Sequence, residues 1–203
     1  MADRPKTNMV LPEARANYAF VFKPRPSDEP GKEASYSLML AFPKATTDES
    51  EIAAIKKMML VAARARWPEQ ALAWLKSGKI AVPLHDGDES DDPAFHGYWT
   101  MTARRKESFG PPGVVDAQVR PFIGEDRETQ FYSGCWCFAS VTFFAYENSG
   151  KKGIGCGLDN VQKIRDGERL SGGKPDPKQD FKPLKPQAGA TTASDDLDDD
   201  IPF

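Results

Sequence analysis

The chain has little cysteine, little histidine and no long apolar run, and each shortage removes a class of function. Three cysteines in 203 residues do not make a disulfide framework. Cys135 and Cys137 stand two apart, on one face of any strand, and Cys156 is left over. That pattern suits a reducing cytoplasm. With only His85 and His96, and no Cys-x-x-Cys pair, a zinc site is not expected. The same scarcity argues against general acid–base catalysis. No stretch approaches the ~20 apolar residues of a membrane span, and the N-terminal residues lack the apolar core of a signal peptide. A membrane role is therefore not expected. An overall basic charge is missing too. The chain carries 27 Lys and Arg against 30 Asp and Glu. Five of those acids fall in the last nine residues, so the rest holds 27 bases against 25 acids. Charge alone does not propose nucleic acid; if it binds, the bases must gather on one face.

What is present reads mainly as β structure with inserted helices. Residues 1–14 are polar and contain proline, which predicts a flexible N-terminal arm. Residues 16–23 alternate Tyr18, Phe20 and Phe22 with Asn17, Ala19 and Val21, the period of a strand. A turn rich in proline and glycine follows. Residues 35–42 then place Tyr36, Leu38, Leu40 and Phe42 on one face. The period next becomes helical. Thr46 and Glu49 have capping-box spacing, and Ile52, Ile55, Met59 and Ala62–Ala63 continue to about Arg66. Pro68 suits the first position of a second helix, with Leu72 and Leu75 inward and Gly78 beyond its end. Residues 86–92 are acidic without calcium-hand spacing and read as a solvated loop. Residues 97–105, 114–123 and 135–147 return to strands, and 154–164 starts extended. From about residue 173 the composition of Gly, Pro, Lys, Ala, Thr and Asp predicts a disordered linker and tail.

The strand over 135–147 divides cleanly by parity. Cys135, Cys137, Ala139, Val141, Phe143 and Ala145 make an apolar face suited to a core. Trp136, Phe138, Ser140, Thr142, Phe144 and Tyr146 make a face of aromatics and hydroxyls on which bases can stack. The strand over 97–105 offers Tyr98, Thr100, Thr102 and Arg104 on one side, and the basic run Arg104-Arg105-Lys106 closes it. The candidate DNA-binding residues are therefore Tyr98, Thr100, Arg104, Arg105, Lys106, Trp136, Phe138, Phe144 and Tyr146. Other patterns are discounted. Gly153-Ile-Gly155-Cys-Gly157 lacks the spacing and following helix of a dinucleotide loop. No residues make a catalytic set, a metal site or a cofactor site.

The final residues Asp198, Asp199, Asp200, Ile201, Pro202 and Phe203 join a run of carboxylates to an apolar end. A partner can take the Phe203 ring in an apolar pocket and pair a base with the terminal carboxylate. This tip resembles the C-terminal interaction tip of bacterial and phage single-stranded DNA-binding proteins. Residues 15–172 resemble a family of phage-encoded single-stranded DNA-binding proteins. The likeness is carried by Gly97-Tyr98-Trp99-Thr100-Met101-Thr102-Ala103, Val115-Asp116, Pro121-Phe122-Ile123, Ser133-Gly134-Cys135-Trp136-Cys137-Phe138-Ala139 and, above all, the run from Gly157-Leu158-Asp159-Asn160 to Leu170-Ser171-Gly172-Gly173. The resemblance implies an OB-fold, a five-stranded Greek-key β-barrel, over 15–172. It implies no catalytic residues. The expected ligand is single-stranded DNA bound without sequence preference, and the tip is expected to recruit replication or recombination proteins. The expected location is the cytoplasm, that of the host cell for a phage protein. Two other readings stay open: a tail-docking protein that binds no DNA, and a nuclease accessory. Neither the oligomeric state nor the tail's partner is legible.

Overall fold

The computed structural model describes residues 6–27, 31–148 and 150–170. The expected tail over 173–203, with its tip, lies outside the described residues. Among the described residues nine strands form one sheet system: β1 (Asn8–Val10), β2 (Ala14–Arg25), β3 (Ser35–Pro43), β4 (Ile80–Ala81), β5 (Leu84–Asp86), β6 (Tyr98–Lys106), β7 (Gly113–Val115), β8 (Trp136–Asn148) and β9 (Lys151–Arg165). Three α-helices interrupt them among the described residues: α1 (Glu49–Arg66), α2 (Ala71–Lys76) and α3 (Arg127–Gln130).

Five of the strands close a ring. β2 pairs β3, β3 pairs β6, β6 pairs β9, β9 pairs β8, and β8 returns to β2. All these pairings are antiparallel except β6 with β9, which is parallel. Counted along the ring strands alone, the order is first, second, third, fifth, fourth. This is the OB-barrel expected from the sequence, with β1, β4, β5 and β7 added at its edges.

The alternating patterns produce the barrel's inside. Tyr36, Leu38, Leu40 and Phe42 of β3 are all buried, as are Cys137, Ala139, Val141 and Phe143 of β8. Met101 and Ala103 of β6 and Ile154, Cys156 and Leu158 of β9 complete the lining. The three thiols are free and buried. Desolvation raises the pKa of each, that of Cys156 to about 12, so they act as small apolar groups.

Several local expectations change. Part of the segment read as a loose arm is built into the sheet: β1 pairs β8, and Leu11 is buried beside it. β2 does not keep one parity. Ala14 and Ala16 are buried, then Val21, because the pairing with β3 shifts between Asn17 and Phe20. Tyr18 sits at that irregularity with φ 45° and faces solvent. A bulge inserts one residue and turns the following side chains to the other face. Helix α1 starts later than read from Thr46. Thr46 and Thr47 are held in a turn on the Pro43 carbonyl, so Asp48 is the cap, and its backbone N–H donates to Glu51 Oε2 at 3.1 Å. Ile52, Ile55, Met59, Ala62 and Ala63 are buried as read.

Helix α2 begins at Ala71, not Pro68, which rotates its face. Leu72 is exposed instead of inward, while Trp74 and Leu75 pack partly against the core and Trp74 lies 6.0 Å from the buried Trp67. The strand read over 114–123 is cut to β7. Asp116 accepts backbone hydrogen bonds from Gln118 and Arg120 and folds residues 116–120 into a turn. The acidic loop is ordered by charge: Lys44 pairs both Asp86 and Asp88, and Asp88 accepts from the Gly97 N–H.

Candidate nucleic-acid interface

β8 is the backbone of the site because its two faces have opposite environments. Adjacent residues show this most sharply: Phe143 is 1% exposed and Phe144 is 50% exposed. Phe138 and Tyr146 are exposed on the same outer face as Phe144, with Ser140 and Thr142 between them. Along the strand, Phe138 and Phe144 stand about 20 Å apart at ~3.4 Å per residue.

At the Tyr146 end of this face lies a groove of about 1360 Å³. One side is β8 and β9, with Thr142, Phe144, Tyr146 and residues 154–159. The other is the β2–β3 connection, with Arg25, Ser27, Lys32 and Glu33, and the end of β6, with Thr102, Arg104, Arg105 and Lys106. Phe109 stands at the rim, exposed. OB-folds hold oligonucleotides on the face of their second and third barrel strands, between the first–second and fourth–fifth loops. Here those strands are β3 and β6. The loops are the β2–β3 connection and the turn through Gly150, and the groove lies where they converge.

Five basic side chains line the groove (Arg25, Lys32, Arg104, Arg105 and Lys106) against two acids, Glu33 and Asp159. The bases are gathered on one face of a chain whose net charge is −3. They differ in what holds them. Arg104 is exposed, and its side chain has no hydrogen bond or ion pair among the described residues. Lys106 pairs Glu33 at 3.0 Å. Glu33 also accepts from the Ser108 N–H, and these bonds, that of Lys106 first, lower its pKa. Arg105 is committed to the loop after β6: its Nε donates to the Gly110 carbonyl at 2.9 Å and its Nη2 to that of Phe109 at 3.0 Å. Its Nη1 reaches the Leu158 carbonyl at 3.4 Å and lies 4.0 Å from Asp159. Arg105 thus fixes the Phe109 loop and offsets the one carboxylate on the groove floor. Asp159 also accepts from Thr142 Oγ1 at 2.7 Å.

Of the residues singled out from sequence, Arg104, Arg105, Lys106, Phe144 and Tyr146 come together in this groove. Trp136 and Phe138 lie towards the opposite end of β8. The Arg165 guanidinium stacks 4.2 Å from the Trp136 ring and is itself paired with Glu13 at 2.6 Å. Tyr98 is at the far end of β6, opposite Pro43. Thr100 is buried, because the short strand β5 covers that edge and sets His85 opposite it. Sequence reasoning missed Arg25, Lys32 and Phe109. The only signal for them was position: two bases in the turn before β3, and one aromatic just after the basic run. A smaller recess of about 670 Å³, lined by Lys6, Asn8, Ser140, Thr142 and Asn160 among others, continues the outer face of β8 beyond the groove.

Among the described residues, no group of three or more His, Cys, Asp or Glu side chains could hold a metal ion, and no helix is long and apolar enough to cross a membrane.

The chain is similar to the single-stranded DNA-binding protein of bacteriophage Enc34, solved in complex with ssDNA. Identity is 24%, over 81% of this chain and 90% of that one, with a TM-score of 0.68. It is also similar in fold to gp2.5, a single-stranded DNA-binding protein encoded by bacteriophage T7, at 14% identity over 84% of this chain and 97% of that one, with a TM-score of 0.61. The p50 protein of Acyrthosiphon pisum secondary endosymbiont phage 1 is 36% identical over 90 residues, which are 44% of this chain and 46% of that protein. The match thus spans about half the length of that relative. The family model described as the Enterobacter phage Enc34 ssDNA-binding protein matches residues 7–197, and the chain therefore belongs to that family.

Proposed function

We propose that this protein binds single-stranded DNA with little sequence preference, in the groove between the β8–β9 face and the basic β2–β3 and β6 loops. The observation that carries the reading is the groove's make-up: exposed aromatic rings on one wall and an excess of bases on the other. Rings stack on any base, at about 1–3 kcal/mol each, and bases neutralise phosphates without reading sequence. The family membership supports it, as does the relative solved with ssDNA. The chain is a binding protein and not an enzyme, as its family and solved relatives are.

We further infer that it coats single strands during phage DNA replication or recombination, in the host cytoplasm, and that Ile201, Pro202, Phe203 and the terminal carboxylate recruit a partner protein. The five tail carboxylates compete with DNA for the basic groove by their charge. Truncation after Ser194 is expected to raise ssDNA affinity, most at low salt. Deleting Phe203 alone is expected to abolish partner capture and leave DNA affinity unchanged. Fluorescence anisotropy with a labelled oligonucleotide, run as a salt series on the three forms, checks the DNA affinities, and co-purification of a partner protein with the full chain but not with the Phe203 deletion checks capture. Equal affinity of full-length and truncated protein at every salt concentration would remove the competition.

A further inference from the structure

The glycine run Gly153-Ile-Gly155-Cys-Gly157 lies on β9, directly across from the exposed rings of β8. In the β8–β9 register Phe144 is opposite Gly155 and Tyr146 is opposite Gly153. A methyl group at Gly155 would stand 2.4 Å from Cζ of Phe144 and 2.6 Å from Cε2. One at Gly153 would stand 2.4 Å from Cζ and from the hydroxyl of Tyr146. The two rings therefore lie across the backbone of β9, in space that any side chain would fill, yet they remain 50% and 40% exposed. One ring face covers a glycine and the other looks into the groove. At Gly153 and Gly155 the nearest atoms to the missing methyl all belong to the ring, none to backbone, and neither glycine has a positive φ. Backbone conformation does not demand glycine here; the flat ring does.

We propose that Gly153 and Gly155 are positioning residues of the DNA site, holding Tyr146 and Phe144 flat as two stacking platforms for successive bases. The proposal rests on the single-strand reading above. The platforms are two residues apart on β8, about 6.8 Å at ~3.4 Å per residue. Bases along one strand of duplex DNA rise ~3.4 Å per step. Neighbouring bases stacked on each other cannot occupy both platforms, whereas an extended single strand with splayed bases can. The glycine column thus contributes to selectivity for single strands as well as to affinity. A cross-strand glycine covered by an aromatic is also a stabilising pair, so the test must separate the two roles.

The test is a double-mutant cycle on the full chain, read by anisotropy with a labelled oligo-dT and by thermal melting. Phe144→Ala is expected to weaken ssDNA binding about tenfold, within the range for one stacked base. Gly155→Ala is expected to weaken it by a similar factor while the protein stays folded, the loss of the ring's packing on the glycine being partly offset by alanine's better fit to a strand. In the Phe144→Ala background, Gly155→Ala should change affinity less than twofold. The same cycle with Gly153→Ala and Tyr146→Ala provides an independent pair. In the wild-type NMR spectrum the Gly155 Hα resonance should be shifted upfield by the ring above it, and Phe144→Ala should release it. Full ssDNA affinity in a folded Gly155→Ala protein, or losses that simply add, would overturn the proposal. Loss of folding in both glycine variants would do so too, because a displaced ring leaves the fold intact. If Phe144→Ala and Tyr146→Ala bind ssDNA normally, the groove reading falls and this proposal falls with it. If they weaken binding and the glycine variants do not, only the glycine proposal falls.

Discussion

Phe143 and Phe144 are neighbours in the chain with opposite tasks, and they make the sharpest test at the level of single residues. Phe143 fills the barrel, so Phe143→Ala is expected to cost about 3–5 kcal/mol of stability, seen as a lower melting temperature. Phe144→Ala is expected to cost much less stability, limited to the half-exposed ring's packing on Gly155, and to weaken ssDNA binding by about 1–3 kcal/mol. The two adjacent arginines should also separate. Arg104 is exposed and uncommitted, so Arg104→Ala should reduce the salt dependence of binding by about one phosphate contact, a change of roughly 0.7 in the log–log slope. Arg105 donates to the Gly110, Phe109 and Leu158 carbonyls, so Arg105→Ala should lower stability as well as affinity. Melting curves and anisotropy titrations at several salt concentrations check both pairs. The parity of β8 was legible in the sequence because its pattern runs unbroken through the whole strand. The difference between Arg104 and Arg105 was not legible: a side chain's partners lie in other segments, here the turn after β6 and the strand β9.

Among the elements, short-range patterns were readable and the added edge strands were not. β3, β6, β8 and the apolar face of α1 follow from period alone. The bulge in β2 was hidden because alternation looks the same whether or not one residue is inserted. Thr100 was read as surface because nothing in its own strand announces β5, which is three residues long and pairs with it from outside. The loop from Asp86 to Gly97 owes its order to Lys44, more than forty positions away, where sequence suggested only solvated acids. The hydrogen bond from Lys44 is the first cause lowering the Asp86 pKa. The Gly97 N–H is the first cause lowering that of Asp88, followed by Lys44. Carboxyls depressed in the folded state contribute stability that is present above their ordinary value of 3.8 and lost as pH falls through the depressed values. Lys44 is raised, by its bond to Asp86 first, so its contribution is full below its ordinary 10.5 and is lost only at higher pH still. Backbone hydrogen exchange at Gly97 is therefore expected to be slow near neutrality and to gain an acid-driven opening below about pH 4. Asp88→Asn should open the loop at neutral pH and remove most of that pH dependence. An unchanged exchange profile in Asp88→Asn would show that the ion pairs do not hold the loop.

For the whole molecule, ring closure turns a weakly patterned sequence into a binding surface. The residues of the groove come from β2, the β2–β3 connection, β3, the β4–β5 link, β6, the loop after it, β8 and β9, and they meet only when β6 pairs parallel to β9 and β8 returns to β2. That is why composition, at net charge −3, gives no sign of nucleic acid, while the folded barrel collects five bases on one side of a groove. The barrel itself was legible, partly from strand periods and partly from family-like motifs. The groove's membership was legible only in part, because it depends on which strand ends the topology brings together. Trp136 and Phe138, equally good stackers by type, lie towards the other end of β8; a long oligonucleotide following the outer face of that strand would reach them. The measurement that tests the account most directly is an anisotropy titration of the full chain with a thirty-nucleotide oligo-dT and with a duplex of equal length, at low and moderate salt. Tight binding to the single strand that weakens as salt rises, with much weaker binding to duplex, is the predicted result. Equal or tighter binding to duplex, or no binding to the single strand at low salt, would contradict the account.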